Sequence, residues 1–217
     1  DFDQVVPAII NSKVDAGLLE GLIADTLNVR SDEIASWQLE CYDTQTANTS
    51  GLNGEFIVSG RIDNLTMCHA SIQALTSKTF TAPQTAMIAL FDNEEIGSST
   101  ENGAASVFIR DIITRVVGSD DSNHLTQRAL ANSACISADG AHAIHPNYTE
   151  FHDPQHAVKM NRGPVIKMNA NHRYATSAFT SAIFEELCKD VDVPVQHYIH
   201  KTDLPCGSTI GPITATG

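Results

Sequence analysis

Three acids fall within the four residues 92–95 of the stretch LFDNEEIGSST: Asp92, Glu94 and Glu95, directly behind the apolar run AMIAL. Two more carboxylates occupy the same kind of place, Asp63 behind FIVSGRI and Asp139 behind ACISA. Each follows a run that reads as a strand, and in layered α/β proteins active groups gather in the loops at strand ends. Carboxylates converging there repel one another strongly in a cleft of low dielectric, so they either hold protons or surround a cation. Metal is the simpler reading, because His142 and His145 follow Asp139 in DGAHAIHPNY and zinc accepts Asp, Glu and His as ligands. In a two-metal site a shared group bridges ions about 3.5–4 Å apart.

Glu94 and Glu95 are neighbours, and neighbouring side chains on a strand point to opposite faces. Both serve one site only if the strand has ended in a turn, where Gly97 supplies backbone freedom. One acid can then bind metal while the other faces the attacking water as general base, a division of labour characteristic of hydrolysis. RIDNL or NEE alone would be ordinary solvated loop acids. Their recurrence at separate strand ends is what favours a metallohydrolase.

The elements that must position these residues alternate in type. Residues 15–29 carry Leu18, Leu19, Leu22, Ile23 and Leu27 at helical spacing, and Ser31 is a candidate helix cap. A polar, Gly-containing connection over 44–54 is the best internal boundary, placed near Ala47. Beyond it FIVSG reads as a strand, NLTMCHASIQALTS as a helix, TAMIALF as a strand and ENGAASVFIRDIITRVV as a helix. ACISADG and GPVIKMNAN are strand-like, ATSAFTSAIFEELCKD is a helix opened by hydroxyl residues suited to capping, and VPVQHYIH is a last strand. The expected class is α/β, a mixed sheet between helical layers.

With 13 basic and 26 acidic residues in 217, the net charge of −13 disfavours nucleic acid and anionic membrane surfaces as partners. Five cysteines without C-x-x-C spacing suggest neither a disulfide framework nor a thiolate zinc site. No run of about 18 apolar residues and no signal peptide is visible, so an intracellular setting is expected.

Six blocks in order then match one family: YDTQ, GRIDNL, FDNEEIGS, SADGAHAIHPNY, GPVIKMNANHRYAT and PCGSTIGP. Together they resemble the aspartyl aminopeptidases, metallopeptidase family M18. The resemblance implies an enzyme with two zinc ions that removes N-terminal Asp or Glu from peptides, in the cytoplasm or the vacuole. It assigns Asp63 as the aspartate bridging both ions, Glu94 as general base, and Glu95 and Asp139 as ligands of one ion each, while His142 and Lys167 contact substrate. It also implies a cis peptide bond after Asp63, as in related dizinc peptidases. Lys167 makes physical sense as well, since a pocket for an acidic side chain in so acidic a chain needs a local cation.

The family's site further uses a histidine from an H-x-D segment and another from an M-H-S-I-R-E segment, and neither motif occurs here. The chain is therefore expected to be an internal segment: residues 1–47 the end of an inserted oligomerisation domain with its connecting helix, and 48–217 a catalytic α/β domain incomplete at its C-terminus. Alone it should bind zinc weakly and be inactive. Family members form tetrahedral homo-oligomers, usually dodecamers. The competing expectations are an M42-type aminopeptidase of other specificity and a catalytically silent scaffold or cargo homologue without zinc.

Overall fold

A computed structural model describes residues 16–77, 84–118 and 124–201. The chain divides into two compact units, Asp1–Thr46 and Ala47–Gly217. In the first, helix α1 (Ala16–Leu27) buries Ile23 and Ala24. It ends where Asn28 turns left-handed (φ 55°) and Val29 N–H donates to the Ala24 carbonyl at 3.0 Å, a common way to close a helix. Ser31, the expected cap, is instead the first residue of a 3₁₀ turn, Ser31–Glu33, and Arg30 holds the cap position with its N–H on Glu33 Oε2 at 2.9 Å.

The second unit opens with an antiparallel hairpin, β1 (Asn48–Ser50) and β2 (Phe56–Val58), turned by Gly51 and Gly54, both at positive φ. Helices α2 (Ile62–Thr76), α3 (Phe108–Val117) and α4 (Leu125–Ala131) follow. A parallel pair, β3 (Val165–Met168) and β4 (Gln196–Ile199), is joined through helix α5 (Ala178–Asp190). Parallel strands need such a crossover, because a tight turn cannot connect them. The hydroxyl cap of α5 is reciprocal: Ser177 Oγ accepts from Thr180 N–H at 3.2 Å, and Thr180 Oγ1 accepts from Ser177 N–H at 2.9 Å. The class is α/β, with antiparallel and parallel pairing both present.

Three expectations are met differently. Residues 85–91 and 134–140 carry strand-like sequence, but neither finds a ladder partner among the described residues. Burial-prone composition favours an extended run, whereas a strand also needs a neighbour's N–H and C=O groups. The helix expected over 101–117 forms only from Phe108, because the backbone before it is committed elsewhere. Ala105 N–H donates to the Ser98 carbonyl at 3.0 Å, and Gly103 packs so close to that carbonyl that a Cβ would overlap it. Helix α4 was not anticipated; seven residues are too few for a periodic signal. The block PCGSTIGP lies outside the described residues.

The core of the second unit gathers around β3, β4 and α5: Tyr198 is 1% exposed, with Val158, Ile166, Tyr174 and Cys188 also buried. Gln196 ties the approach to β3 onto β4, donating from Nε2 to the Lys159 carbonyl at 3.0 Å and accepting from Lys159 N–H at 2.9 Å. Gly163, at φ 88°, passes directly over the Pro194 carbonyl, a crossing that admits no side chain. No helix among the described residues is long and apolar enough to cross a membrane.

Candidate active site

Asp63 sits in the first turn of α2, where the helix is broken. Arg61 precedes it in the left-handed region (φ 60°), and neither Asp63 (φ −82°, ψ 112°) nor Asn64 (φ −118°, ψ 20°) is helical. The peptide bond between Asp63 and Asn64 is cis, as expected. This irregular turn is fastened to a distant segment: Asn64 Nδ2 donates to the Ala138 carbonyl at 2.9 Å. Two residues further on, Gly140 meets the Asp63 carboxylate so closely that a Cβ there would lie 2.6 Å from Oδ1. A residue without a side chain is what lets the Asp139 loop close over Asp63.

Glu94 and Glu95 occupy a turn that ends at Gly97 (φ 117°), whose N–H donates to the Asn93 and Glu94 carbonyls, both at 3.0 Å. The turn that both glutamates required is therefore present. Asn93, also left-handed at φ 63°, braces it from below through Nδ2 to Thr100 Oγ1 at 3.1 Å. Phe91 packs edge-on against Phe108 at the start of α3, centroids 6.4 Å apart, which anchors the approach.

Asp139 has a cationic partner. Lys167 reaches from β3 to place Nζ 3.4 Å from Asp139 Oδ2, with the two side chains only 14% and 21% exposed. The same ammonium lies 5.8 Å from the centre of the buried Tyr174 ring, within reach of a cation–π attraction. The electrostatics at Glu94 draw the five charges together. Although Glu94 is exposed, its carboxyl is held above the ordinary value, first by partial desolvation, then by repulsion from Glu95, Asp139 and Asp63, with Lys167 pulling the other way. The charges of Glu95, Asp139, Asp63 and Lys167 thus all bear on the Glu94 carboxyl.

His142 is exposed, its ring 6.5 Å from that of His200. His145 pairs instead with Tyr148 at 5.1 Å. The sequence marks Asn64 only through the cis bond it shares with Asp63 and gives no sign of Gly140; what makes both matter is contact between segments some 74 residues apart. Nor does it mark Tyr174 and His200, for which spacing carries no signal.

As donors, the carboxylates of Asp63, Glu95 and Asp139 suit a hard or borderline divalent ion such as zinc. As they stand, among the described residues no three or more His, Cys, Asp or Glu are arranged to hold an ion. The donor chemistry and the tight seating of Asp63 on Gly140 fit part of a metal site, with Asn64 Oδ1 left buried and unpartnered beside it.

Comparison with known proteins gives a consistent picture. The family model described as Aminopeptidase I zinc metalloprotease (M18) matches residues 7–217. A curated relative from Stutzerimonas stutzeri (strain A1501), the probable M18 family aminopeptidase 2, is 45% identical over 199 residues, covering 90% of this chain and 45% of its own length. The chain spans about half the length of the curated relatives it matches. A chain in the cryo-EM structure of the Ape4 and Nbr1 complex superposes with a TM-score of 0.76 at 35% identity, over 92% of this chain and 39% of that one. The crystal structure of an M18 family aminopeptidase from Thermotoga maritima shares the fold, with a TM-score of 0.76 at 22% identity, over 96% and 49% of the two chains.

Proposed function

Because this chain belongs to the M18 family of zinc metallopeptidases, we propose that the complete subunit is an aminopeptidase that removes N-terminal Asp or Glu from peptides. The observation that carries this reading is the seating of Asp63 against Gly140, beside an Asp139 that pairs with Lys167 at 3.4 Å, with the charges of Asp63, Asp139, Glu95 and Lys167 all bearing on the Glu94 carboxyl. Asp63, Glu95 and Asp139 would hold the metal, with further donors from outside the described residues. When bound, zinc supplies Lewis acidity, polarising the scissile carbonyl and acidifying water.

The remaining roles belong to the chain itself. Glu94 accepts a proton at its carboxylate from the attacking water and returns it to the departing amine, which must leave neutral. Lys167 faces the carboxylate of the substrate's first side chain, and His142 contributes a polar contact at the edge of the same pocket. Residues 1–47 belong to the end of an oligomerisation domain, 48–217 to the catalytic domain, and the whole subunit assembles into a tetrahedral homo-dodecamer within the cytosol or vacuole.

A panel of amino-acid arylamides tests the reading on the complete subunit. Release is expected to be fastest from the Asp and Glu compounds, to stop on chelation and to return with added zinc. Preference for a neutral first residue, or turnover indifferent to the chelator, would remove the proposed specificity or the proposed metal respectively.

A further inference from the structure

Beyond His142 the second unit carries a broad recess, largely open to solvent, of about 630 Å³ between the 141–160 segment and His200. Its lining is unlike the rest of this acidic chain. Tyr148, Phe151 and Met160 present apolar surface, His142, His145, His152 and His200 present imidazoles, and among the described residues no carboxylate lines it. The rings are ordered in advance: Tyr148 stacks on Phe151 with centroids 5.8 Å apart and planes 15° from parallel. A 3₁₀ turn, Thr149–Phe151, fixes that stack, with Phe151 N–H donating to the Tyr148 carbonyl at 3.2 Å and His152 N–H to the Thr149 carbonyl at 3.2 Å.

The polar edge is fixed just as firmly. His152 is 9% exposed, its backbone pairs with that of His200, and its Nδ1 is buried without a hydrogen-bond partner. The ring of the fully buried Tyr198 lies against both imidazoles, and its hydroxyl is hydrogen-bonded to His200 Nδ1. Tyr198 in turn stands opposite Lys167 in the β3–β4 register, so the wall of the recess and the candidate specificity lysine are built on one ladder. At its other end the recess begins at Ala141, directly after the Gly140 that seats Asp63.

We propose that this recess is the subsite for the second residue of the peptide, the one that departs as the new N-terminus, and that it selects an apolar or aromatic side chain there. The inference rests on the aminopeptidase reading above. The recess begins at Ala141, two residues along the chain from Asp139, offers stacked rings half open to solvent, and among the described residues has no acid in its lining that would favour a basic side chain. An aromatic ring would slide against Tyr148 and Phe151, a contact a glycine cannot make.

The test uses the complete subunit and peptides sharing an acidic first residue, with Phe, Leu, Gly or Lys second. The expected kcat/KM is at least about tenfold higher for Phe than for Gly, the size of effect an apolar pocket supports. The double variant Tyr148→Ala/Phe151→Ala should bring that ratio towards unity, chiefly by lowering kcat/KM for the Phe peptide. Met160→Lys, at a half-exposed position outside the ring stack, should lower the ratio without any risk to the ladder. Calorimetry with uncleavable reduced-bond analogues of the Phe and Gly peptides gives a second readout. Equal binding of the two analogues, or a preference that survives both variants, overturns the subsite. Tighter binding of the Phe analogue, lost in the variants, upholds it even if no peptide is cleaved, in which case it is the peptidase reading that fails.

Discussion

Replacing Glu94 by Gln in the complete subunit is expected to lower turnover by about 10²- to 10⁴-fold, the contribution of a positioned general base, while zinc content stays unchanged. The substitution keeps size and hydrogen-bonding capacity and removes only the ability to take a proton. The prediction divides the two adjacent glutamates by role. Both project from the single turn closed by Gly97, and the structure puts Glu94 under the combined influence of Glu95, Asp139, Asp63 and Lys167. Turnover and metal content measured on the same preparation separate the possibilities: loss of zinc would make Glu94 a ligand, and undiminished turnover would remove it from the chemistry.

The second large effect is selective. Lys167→Ala should reduce kcat/KM on peptides with an acidic first residue by about 10²- to 10³-fold, and on neutral ones far less. The magnitude follows from the partial burial of the ammonium, since removing one partner of a buried ion pair costs about 3–5 kcal/mol. Lys167 already has Asp139 as a partner at 3.4 Å and rests against the Tyr174 ring. An incoming substrate carboxylate must therefore share the ammonium with Asp139. Part of the loss will consequently appear on every substrate, because Asp139 is left without its counter-charge. The ratio between acidic and neutral substrates is the quantity that decides, and equal losses on both would refute a role in specificity.

The carboxylates stand out in the sequence because each follows an apolar run, and an acid in that place demands compensation. The glutamate turn was legible too, since two adjacent side chains cannot share a site on a straight strand and Gly97 stood ready to bend it. Helices α1, α2 and α5 announced themselves by period, and α5 by its hydroxyl cap. What could not be read was anything decided by contact between distant segments. Asn64 reaches Ala138, and Gly140 makes room for Asp63; neither fact leaves a local trace. Residues 85–91 show the converse limit. Their composition favours extension, but a ladder depends on a partner that local sequence does not specify. The aromatic recess stayed hidden because Tyr148 and Phe151, three apart with a 3₁₀ turn between them, look like ordinary loop residues until their rings are seen stacked.

That Asp63, Glu95 and Asp139 together bind divalent metal is tested most directly by elemental analysis of the complete subunit, wild type beside Asp63→Asn. About two zinc ions per wild-type subunit, falling well below one in the variant while the fold persists by circular dichroism, is the expected result. A wild-type subunit that takes up no zinc, or a variant that keeps its full complement, would contradict it.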